Sequence, residues 1–325
     1  MPSFGAATTA TEVVQALPQH VKGRTFLITG TGEKGIGAAA AVALAHGEPE
    51  QLILVSRSKT RVYSVVEDIA SVNPNIKVVF QPCDLSDFDS VKQTASTILN
   101  STSIPRIDVV VNNAGVMAIM EYTKDKQGYE MTLSACHLGH FLLTNLIMPK
   151  IIAAGPGSRI VNVTSNGHRV SPFRFHDWNF SDGKEYEIWT AYGQAKTANI
   201  LYTVELARRL ASKNIQSYAV HPGGVTNTNL SSHADYEIFN TISEVAKRNN
   251  GWDSFPPLDP NTFKTAHQGA APLLTGALDP ALDEHSGAYI VDCHIEEALD
   301  YATDPRNAKK LWDLSEELVG HKFDF

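Results

Sequence analysis

Short, unbroken apolar runs alternate with longer stretches of helical period along most of the chain. Arg24–Thr29, Gln51–Val55, Ile76–Phe80, Ile107–Val111, Ser158–Ser165, Ile215–Val220 and Gly287–Val291 read as strands. Runs without polar alternation mark strands covered on both faces, as in a parallel sheet. Between them, Ala38–His46 is an alanine-rich helix, Leu133–Phe141 opens a longer one, and a third runs on from Tyr192 through Ala207. Strand–helix alternation of this kind predicts an α/β fold, a doubly wound parallel sheet of about seven strands. Residues 1–325 read as one domain, with 1–22 as an N-terminal extension and 229–268 as a small lid. Thr11–His20 is expected to form one short helix over the sheet edge. Helical pieces are expected over Tyr236–Arg248, and a helix broken by Pro272 over Thr265–Thr275. Pro305–Val319 is amphipathic, suited to packing back on the domain or to dimerisation.

Composition narrows the class. The chain has 325 residues, 43% of them hydrophobic, which is enough for a full core. A net charge of −8 and the lack of a basic cluster argue against nucleic acid or an anionic membrane as partner. Cys83, Cys136 and Cys293 have neither disulfide nor metal spacing, which suits a reducing compartment. Met1–Ala10 lacks the basic and apolar regions of a secretory signal, and no apolar run reaches the roughly eighteen residues of a membrane span. A cytoplasmic protein is expected, with no metal.

Two stretches carry chemistry. Gly30-Thr31-Gly32-Glu33-Lys34-Gly35-Ile36-Gly37 sits between a strand and a helix. Glycines there allow a tight turn and close approach of backbone N–H groups to a pyrophosphate at the helix N-terminus. The second strand ends in Ser56-Arg57-Ser58-Lys59-Thr60-Arg61, with no carboxylate for a ribose 2′-hydroxyl. Arg57 can instead grip a 2′-phosphate, so NADP(H) is the expected cofactor. Further on, Tyr192 and Lys196 stand four residues apart on one helix face. An ammonium beside a phenol favours phenolate. The tyrosine pKa should fall toward neutrality, and the hydroxyl can pass a proton to or from a substrate oxygen.

Together with Asn112-Asn113-Ala114-Gly115 and a serine at the end of the fifth strand, these stretches resemble the short-chain dehydrogenase/reductase family. The likeness runs from about Lys22 to Val291 in the same order, and is nearest to its retinol-dehydrogenase-like and fungal secondary-metabolite branch. It implies a Rossmann-type sheet and an NADP(H)-dependent oxidoreductase, a carbonyl reductase acting on a hydrophobic small molecule in secondary metabolism. It implies that Ser165, Tyr192 and Lys196 are catalytic. Gly30, Gly32, Gly35, Ile36 and Gly37 would hold the pyrophosphate, and Asp84 and Leu85 the adenine. Asn113, Ala114 and Gly115 would line the nicotinamide side, Tyr192 and Lys196 would also contact the cofactor, with Lys196 holding the ribose, and Pro222, Gly223 and Val225 would touch the carboxamide. The following threonine is ambiguous. Thr226 and Thr228 are both candidates, with Asn227 in the strict position, and Thr228 is taken as the cofactor contact.

The chain departs from the family pattern in three places. Four residues, not three, separate Gly30 from Gly35. Cys136 occupies the position of a family asparagine that shapes its helix and holds a relay water. Activity is expected to survive, through a backbone carbonyl; reduced activity and altered chemistry are the other readings. His137 and His140 read as helix-packing groups. The segment between Ser165 and Tyr192 is long and carries Phe173, Phe175, Trp178, Tyr186 and Trp189, which either wall a pocket or pack on the sheet. A non-redox enzyme (isomerase, dehydratase or cyclase) and an NADP-binding regulator are the alternatives, and a homo-oligomer is possible.

Overall fold

The computed structural model describes residues 3–226, 228–230, 236–252, 255 and 262–325. The strands are β1 (Thr25–Thr29), β2 (Gln51–Ser56), β3 (Lys77–Pro82), β4 (Val109–Asn112), β5 (Arg159–Val163), β6 (Gln216–His221), β7 (Tyr289–Val291) and β8 (His294–Glu296). They form one sheet in the order β3-β2-β1-β4-β5-β6-β7-β8, parallel except for β8, which runs antiparallel to β7. The strand order reverses between β1 and β4, so the crevice beyond their carboxyl ends is the place for a ligand.

The helices are α1 (Ala10–Ala16), α2 (Ile36–Ala45), α3 (Tyr63–Val72), α4 (Phe88–Asn100), α5 (Met131–Leu133), α6 (Gly139–Leu146), α7 (Met148–Ile152), α8 (Ile188–Leu210), α9 (Ile242–Asn250), α10 (Ala266–Leu278), α11 (Asp300–Thr303) and α12 (Pro305–Val319). They cover both faces. Phe26, Ile28, Leu52 and Leu54 point to a core shared with α1, α2, α3 and α10. The intervening Leu27, Ile53 and Val55 point to a second core shared with α4, α6, α8 and α12. Both neighbours of each strand residue are thus buried, which is why the strands read as continuous apolar runs.

Several boundaries differ from expectation, each for a local reason. The first helix ends at Ala16, because Pro18 disfavours helical backbone at Leu17, and Pro18–His20 forms a separate 3₁₀ turn. That helix packs on α2 and α10 rather than over a sheet edge. Pro272 does not break α10, which runs unbroken through Leu278; Ala270, Leu273, Leu274 and Ala277 are buried along it, and packing outweighs the lost backbone bond. The eighth strand has three exposed residues and no apolar signal. It exists because Asp292 and Cys293, at φ 52° and 69°, turn the chain back on β7. α12 packs on α8, as an amphipathic tail should. No helix among the described residues is long and apolar enough to cross a membrane. The lid stretch 229–268 contributes a 3₁₀ turn over Tyr236–Thr241, then α9; parts of it lie outside the described residues.

Candidate active site

α8 positions the central pair. Glu187 caps it by accepting hydrogen bonds from the N–H groups of Trp189 (3.0 Å) and Thr190 (2.8 Å). From that start Tyr192 and Lys196 stack one turn apart, 7% and 5% exposed, at the carboxyl end of β5. The Lys196 ammonium lies 5.5 Å from the centre of the Tyr192 ring and donates to the carbonyl of Val163 (3.3 Å). Ser165 follows β5 and stands beside Tyr192: a Cβ on Gly167 would meet both the Tyr192 ring (2.7 Å) and Ser165 Oγ (3.4 Å). Its Oγ also accepts from the N–H of Gly167 (3.0 Å), so the same hydroxyl caps the turn that carries it. Thr164 donates to the Lys196 carbonyl (2.7 Å) and Asn199 donates to the Val163 carbonyl (3.0 Å), locking strand end to helix.

The electrostatics correct one expectation. Burial pushes the Tyr192 phenol above its ordinary pKa, and the opposing pull of Lys196 and of the Ser165 hydrogen bond does not reverse it. Tyr192 in this state is a protonated donor, not a phenolate.

Cys136 sits in a π turn over Ser134–Leu138, between α5 and α6. Its Sγ accepts from the N–H of Val116 (3.3 Å) and its thiol donates to the carbonyl of Val116 (3.4 Å). A Cβ on Gly115 would stand 3.3 Å from that sulfur and 3.7 Å from Lys196 Nζ, so glycine there leaves thiol and ammonium close together. Burial holds the thiol protonated. The Cys136 carbonyl is engaged by His140 Nδ1 (3.1 Å), whose Nε2 meets Thr29 Oγ1 (2.8 Å). His140 thus donates at Nδ1 and accepts the Thr29 hydroxyl at Nε2. His137 binds Ser315 of α12 (2.8 Å), a packing role as expected.

The glycine turn meets the Asn-Asn-Ala-Gly turn edge to edge. Gly30 has φ 72°, and a Cβ on it would lie 2.7 Å from Ala114 Cα; one on Gly37 would lie 2.6 Å from Asn113 Nδ2. Asn113 donates to the carbonyls of Thr29 (2.9 Å) and Gly30 (3.2 Å), while Asn112 ties β4 to Asn162 of β5 (2.9 Å). The extra loop residue is absorbed by Lys34 in left-handed backbone (φ 63°) and by Glu33 N–H donating to the Arg61 carbonyl (2.9 Å). A Cβ on Gly32 would make only ordinary contact with Arg61 (3.8 Å), and Gly35 caps α2 without any side chain. The N–H groups of the first turn of α2, from Ile36 and Gly37 on, are therefore left without a side-chain acceptor, which fits a pyrophosphate.

Arg57 is exposed at the end of β2, beside Ser58. Asp84 is half-buried, with Oδ1 accepting from Ser86 N–H (3.0 Å) and Oγ (2.7 Å), and Leu85 is buried in the core beneath it. Pro222 and Gly223 follow β6, with Gly223 at φ 89°, and Val225 pairs with Lys264. Thr226 is tied to the Lys264 carbonyl (3.2 Å), Thr228 is half-buried beyond it, and Asn227 lies outside the described residues.

The aromatic insertion packs into two separate apolar clusters. Phe173, Phe175 and Trp178 pack into the core beside α6 and α8. Trp189 joins Tyr192, Ala118 and Val170 in a separate apolar cluster completed by Ile242, Val245 and Ala246 of α9. Met117, Phe239 and Trp252 pack around it. Sequence reasoning missed Gly167, Asn199, Thr29 and Lys264. The two-residue spacing of Gly167 from Ser165 was the available signal for the first; the others needed the fold.

Residues 24–177 match the model of the short chain dehydrogenase family. Human retinol dehydrogenase 11 is 35% identical over 305 residues, spanning 94% of this chain and 88% of that protein. Mouse retinol dehydrogenase 14 is 35% identical over 318 residues, spanning 93% and 88%. A crystal structure of an uncharacterized protein from Mycobacterium Paratuberculosis superposes with a TM-score of 0.72 at 27% identity, covering 98% of this chain and all of the other.

Proposed function

The chain belongs to the short-chain dehydrogenase family, and on that premise we propose an NADP(H)-dependent enzyme that interconverts a ketone and a secondary alcohol on a hydrophobic small molecule, working as a reductase. One observation carries this reading: Tyr192 is buried in an apolar cluster, with the Lys196 ammonium 5.5 Å from its ring and the turn that follows Ser165 packed against it.

A bound nicotinamide supplies hydride to the carbonyl carbon. The protein's own residues do the rest. Ser165 donates to the substrate oxygen and fixes its direction. Tyr192 gives that oxygen a proton as negative charge develops on it. Burial keeps the phenol protonated at neutral pH, and the Lys196 ammonium, which acts to lower its pKa, favours giving that proton up. Lys196 stabilises the phenolate that Tyr192 leaves behind and steadies the cofactor ribose. Asn113, Ala114 and Gly115 would line the nicotinamide side, and Pro222, Gly223, Val225 and Thr228 would hold the carboxamide. Gly30, Gly32, Gly35, Ile36 and Gly37 receive the pyrophosphate, and Asp84 and Leu85 the adenine. Arg57, exposed and without a carboxylate neighbour on its loop, supports the 2′-phosphate and hence NADP(H).

Trp189, Phe239, Ile242 and Val245 support an apolar substrate under a lid formed by α9. The relatives are named for retinol, an apolar alcohol, which agrees. Three free cysteines support a cytoplasmic setting. A place in secondary metabolism remains part of the proposal.

The test is direct. NADPH should bind more tightly than NADH and be consumed with apolar aromatic ketones, seen as loss of nicotinamide absorbance. Tight NADPH binding with no turnover across such a panel would overturn the reductase reading.

A further inference from the structure

We propose that Lys264 is a positioning residue that pins the Pro222–Val225 turn of the cofactor site and ties it to the β7–β8 turn. Lys264 is only 7% exposed, although it bears a charge and belongs to no part of the mechanism above. Its backbone and side chain both serve the turn. The Lys264 N–H donates to the carbonyl of Gly224 (2.7 Å), and its carbonyl accepts from the N–H of Thr226 (3.2 Å), forming a one-step parallel bridge opposite Val225. Its methylenes lie along Gly223. A Cβ there would stand 2.8 Å from Cδ and 2.9 Å from Cε and would push the lysine stem aside, and the left-handed backbone at φ 89° itself favours glycine.

The charged end reaches past the turn to Asp292, with which Nζ forms an ion pair. Asp292 lies in the β7–β8 turn, where it and Cys293 both take left-handed backbone. Burying an ammonium is unfavourable unless it is paired, so this partner holds the lysine in place. The small antiparallel β8 thereby acquires a purpose: its turn carries the counter-charge. On the other side, Val225 packs where a Cβ on Gly269 of α10 would fall, 2.6 Å away, and Ile36 at the start of α2 lies within 3.5 Å of the same point. The carboxamide turn, the helix start of the pyrophosphate site and the β7–β8 hairpin are thus joined through residues 225 and 264.

The assignment rests on the reading that the turn serves a nicotinamide, and the experiment separates the two. Lys264→Met keeps the methylene stem and removes the charge; Lys264→Arg keeps a charge that can reach Asp292; Asp292→Asn removes the partner. Hydrogen exchange is first followed on the full chain without cofactor. Lys264→Met should speed exchange of the 223–226 amides at least tenfold while β1–β5 stay as in wild type, with Lys264→Arg largely restoring protection. NADPH is then titrated into each variant. The dissociation constant should rise at least fivefold in Lys264→Met and Asp292→Asn, with kcat at saturation within about threefold of wild type. Unchanged exchange at 223–226, or a uniform increase across the sheet, would overturn the pin even if NADPH binds. If wild type binds no nicotinamide dinucleotide, the cofactor reading fails, and the exchange pattern still decides the role of Lys264.

Discussion

Gly167 lies directly against the ring of Tyr192. A Cβ at position 167 would stand 2.7 Å from Cε1 and 2.8 Å from Cδ1 of that ring, and 3.4 Å from Ser165 Oγ. The turn after β5 and the helix α8 are thus in contact at the one place where serine and tyrosine must share a substrate oxygen. Gly193, next to Tyr192, makes the matching approach from the helix: its Cβ would lie 2.8 Å from Ser171 N and 3.0 Å from the Gly167 carbonyl. Gly167→Ala should therefore cost about 1–3 kcal/mol of stability by overpacking. It should also lower kcat at least tenfold by parting Ser165 from Tyr192, with NADPH affinity little changed. Steady-state kinetics beside direct cofactor titration checks this; a loss confined to NADPH binding would contradict it.

Tyr192→Phe removes the proton donor and leaves the ring in its apolar cluster. Turnover should fall about a hundred- to ten-thousand-fold, the range expected for a lost general acid. Because the hydroxyl faces Ser165 rather than the glycine turn, the NADPH dissociation constant should stay within about twofold. Weakened NADPH binding with normal turnover would show that Tyr192 serves the cofactor and not the chemistry.

Arg57→Asp tests the cofactor preference. A charge-assisted contact to phosphate is worth about 1.5–3 kcal/mol, so NADPH should bind roughly ten- to a hundredfold more weakly, and NADH as well as before or better. Equal losses for both cofactors would mean that Arg57 supports the loop and does not read the 2′-phosphate.

Most of this site was legible because its residues come from strand ends, and strand ends follow from apolar runs. Gly30 after β1, Asn113 after β4, Ser165 after β5 and Pro222 after β6 are placed by the sheet order alone. What was hidden depends on contacts between distant segments. The pKa of Tyr192 depends on burial by α9 and Val170, which spacing from Lys196 does not reveal. Lys264 and Asp292 are 28 residues apart, and β8 has no apolar pattern to announce it. The continuity of α10 through Pro272 is likewise a packing result, imposed by the core it fills.

Cys136 is accommodated as a hydrogen-bonding side chain, with both of its contacts on Val116. Cys136→Ser preserves a donor and an acceptor at the same atom and should keep turnover within about threefold. Cys136→Ala leaves the half-buried Val116 N–H without that acceptor and should lose about 1–3 kcal/mol of stability. Urea melts and kinetics on the pair distinguish the cases. Inactivation of the serine variant would mean that the thiol itself takes part in the reaction.

The last prediction concerns acid. His137, His140, His168 and His221 are buried, and desolvation lowers their pKa values to about 3, 4, 4 and 3 from 6.5. Each is held neutral in the fold. As pH falls below 6.5 the unfolded chain takes up protons that the folded chain refuses, so unfolding becomes more favourable until the folded values are reached. These groups add nothing to the pH dependence above about 7. Between about 6.5 and 4 they should erode stability by at most ~1.4 kcal/mol per group per pH unit. Carboxylates act lower: Asp304, held at about 2 by Arg306, gives up its contribution only below its ordinary 3.8. Urea midpoints should thus already drop between pH 6.5 and 5, before carboxylates titrate. His137→Leu, which removes one such group and its bond to Ser315, should start lower at pH 7.5 and fall less steeply. A midpoint flat down to pH 4.5 would mean that these rings are solvated or charged in the folded protein.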